Sequence, residues 1–461
     1  MYVETVVVKS GFFFTPKNPE KRYPGVVTIA DGGRISLEIT ADEVAFVEVD
    51  ELFIGRLIGQ VEGGYVTLEG CEYRSMNLAF GGTTGRSQIY ARLIYVGTVG
   101  LEEIANFTSL QFGVDNLSEW LGKSAFKMNF SANYDDCTIT LKKPESIDCV
   151  LPDGTKLQIA LQVRLPGATK YPVIELYQQA FIEITPAAPQ PIDFYQTLSH
   201  HITRFFSFVM GKPVAIHSLT AQVNSSKIDE IHKSLNVYFQ SLNNSNNKEI
   251  KSREMLLNYS TIEPRFQDLI SRWLNIYETL KPAIHHYFSV QDETHAYADT
   301  KFLVMAQALE AFHRRTSKTQ IKMPKAEYKA QKELILKTCP EEYRNWLNEK
   351  LAFGNEVPFA TRINQLLDRF SIVFGGQAIT TLMVQGTVRT RNYHTHYDPK
   401  GAANALKGPA LVSLTLRLRA LFALSLLVHL GLKENEAIAL TRSEPLSKLL
   451  RSANYIDQNN D

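Results

Sequence analysis

The sequence predicts an α+β protein with a β-rich N-terminal domain, sandwich- or barrel-like, followed by an all-α helical bundle. Three observations carry this. Over residues 1–190 short apolar runs alternate with polar residues at a period of two and are cut by Gly, Pro and Asp-Gly turns. From about residue 261 the apolar spacing changes to that of a helix. A length of 461 residues also exceeds what one ordinary core organises, so two or three domains are expected.

In chain order, "GVVTIADGGRISLEIT" sets Ile35, Leu37 and Ile39 against Arg34, Ser36 and Glu38 after a turn at Asp31-Gly32-Gly33. "SIDCVLPDGTKLQIALQV" repeats the device, with Asp153-Gly154 as the turn and Leu157, Ile159 and Leu161 on one face. Regular turns between short strands point to a sandwich or barrel. Phe12-Phe13-Phe14 is expected in the core or at a domain interface. "FGGTTG" (80–85) lacks the Lys-Ser/Thr of a phosphate-binding loop and reads as a hairpin or loop. Residues 191–260 form a transition: "DFYQTLSHHITRFFSFVMG" looks helical, "PVAIHSLTAQV" fits one more strand, and the Asn-rich 241–252 reads as a linker.

Residues 261–450 read as helical. "EPRFQDLISRWLNIYETLK" puts Phe266, Leu269, Ile270, Trp273, Leu274 and Tyr277 on one stripe, with Pro264 suited to the first turn. "YADTKFLVMAQALEAFHRR" and "FATRINQLLDRFSIVFG" add two more helices. The apolar stretch 410–432 carries Arg417 and Arg419 near its middle, each costing about 2.5–3.5 kcal/mol in a bilayer centre. It is therefore expected as a buried helix of the bundle, with no membrane span.

Composition excludes some partners. With 44% hydrophobic and 21% charged residues the chain has an ordinary globular balance. Its net charge of +1 provides no global field for nucleic acid, so any such contact must be local. Cys71, Cys137, Cys149 and Cys339 show no C-x-x-C spacing and no pairing with histidine, so neither zinc nor another cofactor is expected. Reduced thiols and the lack of a secretory pattern in "MYVETVVVKSGFFFTPK" predict a cytoplasmic protein.

One short segment stands apart. "TVRTRNYHTHYDPKG" (387–401) gathers Arg389, Arg391, Asn392, His394 and His396 just before Asp398-Pro399. The bland reading is a solvated helix end whose side chains cap carbonyls and complement the dipole. However, Arg391-Asn392-x-x-x-His396 also has the form R-x(4–6)-H with a polar residue after the arginine.

This segment resembles the signature of HEPN-domain ribonucleases. The upstream helix "KFLVMAQALEAFHRR", the segment "FGNEVPFATRINQLLDRF" and the long apolar helix after the motif are similar to the HEPN domain of the ApeA group. "GFFFTPKNPEKRYPGVVTIADGGRISLEI" resembles the ApeA N-terminal domain, so the likeness covers most of the chain. It implies an ApeA-type domain over 1–190 and a HEPN domain over 261–450. It further implies a metal-independent endoribonuclease in anti-phage defence by abortive infection, acting on tRNA or other structured RNA. The motif would meet its copy across a two-fold axis, making the catalytic unit a homodimer. The N-terminal domain would receive a phage-derived trigger or a protein partner. The competing reading is a non-catalytic HEPN module that dimerises and binds RNA or nucleotide.

The side-chain chemistry suits RNA cleavage. Histidine titrates near neutrality and can move protons at either end of the reaction. Arginine stays charged and grips phosphate oxygens with paired donors. Asparagine can orient a partner but cannot act as acid or base. The expected roles are therefore phosphate for Arg391, proton transfer for His396 and orientation for Asn392. Residues five apart on a helix are turned by about 140°, so Arg391 and His396 do not share a face, whereas Asn392 and His396 do. A second register runs from Arg389 to His394, and Arg389 also shares a stripe with His396, leaving Arg389 and His394 as supporting or RNA-contacting residues. Glu310 is expected either to pair with Arg391 or to be exposed. Residues 314–337, beginning with Arg314 and Arg315, hold eight Lys/Arg against Glu327 and Glu333, as a solvated face or an RNA-backbone patch.

Overall fold

The computed structural model describes the chain apart from residues 42, 47–51, 77–83, 99, 102–104, 166–174, 224–233, 242–248, 293–296 and 459–461. Most of "FGGTTG" and of the Asn-rich 241–252 segment therefore lies outside the described residues. The chain divides into two compact units, Met1–Ser271 and Arg272–Asp461.

The first unit is built on a closed barrel. Strands β1 (Val7–Thr15), β2 (Asn18–Ala30), β3 (Arg34–Ala41), β4 (Phe53–Val61), β5 (Gly64–Ser75) and β6 (Gly85–Ala91) pair antiparallel in the order β5-β4-β1-β2-β3-β6. Strand β6 pairs back with β5 and closes the ring. Alternation puts Val27 and Ile29 of β2, Ile35, Leu37 and Ile39 of β3 and Leu68 of β5 into a common core. Closure leaves these strands no free edges, which is what the even strand spacing in the sequence permits. Phe13 and Phe14 are buried, but Phe12 is 55% exposed, because neighbouring strand residues face opposite sides. A register shift between Phe13 and Thr15 turns Phe14 inward as well.

Strand β5 also carries the sheet onward. Its second half pairs with β6, and its first half pairs with β7 (Leu93–Gly97). The change falls at Gly70, whose φ of 60° and proximity to the Arg92 side chain leave little room for a Cβ. The remaining strands are β8 (Asn106–Val114), β9 (Phe126–Phe130), β10 (Cys137–Leu141), β11 (Ile147–Val150), β12 (Lys156–Arg164), β13 (Tyr177–Thr185), β14 (Gln190–Pro191), β15 (Ile216–Val223) and β16 (Ser234–Phe239). The order β7-β16-β15-β8-β13-β12-β11 extends the sheet, β14 pairs with β8, and β9–β10 form a separate hairpin. Helix α1 (Leu117–Leu121) follows β8. Helix α2 (Ile192–Met210) packs on β8, where the Tyr195 hydroxyl donates to the Phe107 carbonyl at 2.7 Å. Gly211, in the left-handed region, ends α2.

After α3 (Tyr259–Ile262), Pro264 sits in a short 3-10 turn that leads into α4 (Phe266–Gln291), and the boundary between units falls within α4. Helix α4 runs on through Pro282, a residue that removes one hydrogen bond. Buried Ala283, Ile284, Tyr287 and Phe288 continue its apolar stripe past the proline and offset that loss.

The second unit is helical. It contains α5 (Ala298–Thr316), α6 (Lys325–Thr338), α7 (Glu341–Lys350), α8 (Phe359–Asp368), α9 (Gln377–His396), α10 (Gly408–His429), α11 (Glu434–Ala439) and α12 (Leu446–Gln458). Helix α10 is apolar on all sides and lies against α5, α8, α9, α11 and α12. It is long and apolar enough to cross a membrane, and most of it is buried within the unit. Its Phe422 ring stacks on Tyr287 at 4.7 Å and meets Phe312 edge-on at 5.5 Å, at the centre of the core.

Candidate active site on helix α9

Helix α9 starts after Gly375 and Gly376, both at positive φ, and buries Thr380, Met383, Thr387 and Thr390. Gly386 allows close approach, since a Cβ there would lie 3.2 Å from Leu406 and 3.8 Å from Leu414. The helix ends at His396. Tyr397 adopts the left-handed conformation (φ 50°), and Asp398 is extended before Pro399, as the restriction preceding proline requires. The Asp398 carboxylate accepts the Lys400 N–H at 3.0 Å, and the Thr390 hydroxyl accepts the Leu406 N–H at 3.0 Å. The first bond fixes the turn after the helix, and the second holds the following loop against the helix.

The face opposite the buried threonines presents Leu382, Arg389, Asn392 and His396, spaced by seven, three and four residues. Arg389, Asn392, Tyr393 and His396 line an open groove of about 490 Å³ together with Asp398 and Asn404 of the loop. Asn392 and His396 thus share a face, and Arg389 joins them. No spacing in the sequence marks Tyr393, Asp398 and Asn404 as members of the groove. Only the reversal of the chain at Tyr397 and its path beyond Pro399 bring the last two to the groove.

Arg391 points elsewhere. Its Nη2 is 3.8 Å from Glu310 Oε2 of α5, and its guanidinium lies over the Phe359 ring at 5.4 Å. Its Nη1 still reaches Asn392 Oδ1 at 3.4 Å, so the side chain bridges Glu310 and the rim of the groove. Glu310 also accepts from Arg314, which in turn meets Glu356, each at 3.2 Å. Arg315 is exposed and makes no ion pair among the described residues. His394 faces neither group. Both its ring nitrogens are buried without a hydrogen-bond partner, among the rings of Phe302, Tyr393 and Tyr397.

A second polar cluster lies behind Glu310. Arg362 is 1% exposed and donates to the Val357 carbonyl at 3.0 Å and to Gln320 Oε1 at 2.7 Å. Its Nη1 lies 3.2 Å from His313 Nδ1, and His313 Nε2 lies 2.7 Å from Gln365 Oε1. An arginine can only donate, so His313 accepts at Nδ1 and donates from Nε2, which is the neutral tautomer. Burial pushes the His313 pKa below its ordinary value, the Gln365 hydrogen bond works against this, and the Arg362 charge adds to it. The sequence signal for this cluster is weak: Arg362 shares the buried face of α8 with Ile363 and Leu366, and nothing in the spacing marks its partners His313 and Gln320. Among the described residues no group of three His, Cys, Asp or Glu side chains is placed to hold a metal ion.

Comparison with known proteins agrees with this architecture. The family model described as ApeA N-terminal domain 1 matches residues 9–273, and the model described as Apea-like HEPN matches residues 303–436, which include most of α5 and the whole Arg389–His396 segment. No curated protein and no solved structure matches the chain. A β-rich first unit over the one match and a helical unit carrying R-x-x-x-x-H over the other make this chain a member of the ApeA-like HEPN family.

Proposed function

We propose that the protein is a metal-independent endoribonuclease of the HEPN type, cytoplasmic, and an effector of anti-phage defence by abortive infection that cleaves RNA such as tRNA. The observation that carries this reading is the groove at the end of α9, where Arg389, Asn392 and His396 converge on one face with Arg391 at its rim.

The chemistry follows from what each group can do. Cleavage through the RNA 2′-hydroxyl requires a proton acceptor at that oxygen and a proton donor at the leaving 5′-oxygen. His396, exposed at the helix end, can serve either step, and the copy of His396 from a second protomer can serve the other. Arg391, whose Nη1 reaches Asn392 at the groove rim, is the residue that would stabilise the charge building on the phosphorane. Arg389 offers a second cation on the groove side. DNA is spared because its sugar lacks the attacking oxygen.

The stripe containing Leu382, Arg389 and His396 is the surface through which two HEPN units would meet as a homodimer. The β-rich unit is the proposed receiver of a phage-derived trigger or protein partner. Total RNA incubated with purified full-length protein in EDTA tests the reading. Discrete fragments that vanish in His396→Ala are expected, and their absence with wild-type protein under activating conditions would favour a binding module.

A further inference from the structure

Helices α6 and α7 form an open hairpin, and no residue of either is fully buried. A short clasp holds its base. The Lys322 N–H donates to the Asn355 carbonyl at 2.8 Å, the Val357 N–H donates to the Gln320 carbonyl at 3.2 Å, and the Asn355 side chain bonds both backbone groups of Met323 at 3.0 Å. Tyr328 ties α6 to the end of α7 by donating to the Leu351 carbonyl at 2.7 Å. The arm is therefore anchored firmly, yet its helices lie open.

Its surface is unlike the rest of the chain. Residues 314–354 hold ten Lys/Arg against five Glu, a net +5 in a protein whose total is +1. Lys325, Lys329 and Lys332 fall on one stripe of α6, at spacings of four and three. Tyr343 and Trp346 lie on one side of α7 and Phe353 lies in the chain turn after the helix ends, exposed by 53, 59 and 75%. Cations on one helix of a hairpin and open aromatic rings on and after the other are the two components that hold single-stranded nucleic acid, where phosphates take the charges and unpaired bases stack on the rings. The arm also springs from beside the motif. Arg391 meets Glu310 at 3.8 Å, Glu310 meets Arg314 at 3.2 Å, and Arg314 meets Glu356 of the clasp at 3.2 Å.

We propose that the α6–α7 arm is an RNA-gripping element that binds an unpaired stretch of the substrate, stacking bases on Tyr343, Trp346 and Phe353 and seating phosphates on the α6 lysines. This rests on the ribonuclease reading for its biological sense but not for its test. The probe is a fluorescent single-stranded oligonucleotide of about 12 nucleotides, within the span of known single-strand sites, with 2′-O-methyl groups throughout so that it cannot be cut. Its anisotropy with full-length protein gives Kd as a function of salt.

Trp346→Ala should weaken binding about tenfold. Lys325→Gln, Lys329→Gln and Lys332→Gln combined should lower the slope of log Kd against log salt by about 2. All four positions lie on the open hairpin, so helical content by circular dichroism should stay at the wild-type level. Failure of the wild type to bind the probe, or an unchanged Kd and slope in both variants, overturns the proposal. So does a Trp346→Ala protein that sediments as a smaller species while its Kd is unaltered, which would make the arm a protein interface. Arm variants that bind normally beside a His396→Ala protein that has lost cleavage sink the arm alone. Arm-dependent binding with no cleavage by any protein sinks the nuclease reading alone.

Discussion

Arg391 Nη1 donates to Asn392 Oδ1 at 3.4 Å, so two consecutive residues on different sides of α9 are joined by their side chains. The pair connects the Glu310 cluster to the groove containing Arg389 and His396. Cleavage should therefore depend on both sides of the helix. Arg391→Ala and His396→Ala should each lower turnover by about 10²–10³, the usual cost of losing one preorganised transition-state group. If Arg389→Ala abolishes cleavage while Arg391→Ala cleaves at the wild-type rate, the phosphate role belongs to Arg389.

Glu310→Gln probes the same connection from α5. The substitution keeps the size of the side chain but removes the charge that holds Arg391 and Arg314. Since these pairs are partly exposed, stability should fall by no more than about 1 kcal/mol. Turnover should drop further, by about tenfold, because Arg391 loses its fixed position. A thermal melt and a single-turnover rate, measured on the same sample, separate the two effects. Equal losses in both would make Glu310 purely structural.

The products report the nucleophile. Attack by the 2′-hydroxyl leaves a 2′,3′-cyclic phosphate, or its opened form, and a 5′-hydroxyl. A single 2′-deoxy substitution at the cut position should block cleavage, and chelators should not. A 5′-phosphate on the downstream fragment would assign attack to water and end the roles proposed for Arg391, Asn392 and His396.

Self-association should run through α9. Leu382 is 62% exposed on the stripe that carries Arg389 and His396, so Leu382→Asp should shift full-length protein from dimer toward monomer in sedimentation. Cleavage should fall in parallel with the dimer fraction. A wild-type monomer at micromolar concentration that still cleaves would exclude a shared site.

Stability should decline on mild acidification. Burial depresses the pKa of both His313 and His429 in the folded helical unit, with Arg362 and Arg369 respectively adding to the effect. The unfolded chain then binds protons more readily than the folded one. The contribution of the neutral rings is complete above the unfolded value of about 6.5 and is lost as pH falls toward the lower folded values. Urea midpoints at pH 7.5 and 5.5 should differ, and His313→Gln should reduce the difference.

Much of this molecule could be read from local patterns. Period-two alternation in Ile35, Leu37 and Ile39 placed β3, because a strand must point every second residue into the core whatever its partners are. The apolar stripe through Phe266 and Trp273 placed α4, and Pro399 marked the end of α9 through a steric rule that acts between neighbours. The 100° turn per helical residue already separated Arg391 from His396 and joined Asn392 to it. Barrel closure depended on β6 meeting β5, and no periodicity encodes which edges find each other. The pairing of Arg391 with Glu310 depended on how α5 and α9 pack, and the presence of Asp398 and Asn404 in the groove depended on the path of the chain after His396. The burial of Arg362 depended on His313 and Gln320 converging on it from other parts of the unit. Such arrangements arise between residues distant in the chain, where burial and hydrogen-bond satisfaction are settled by packing and not by spacing.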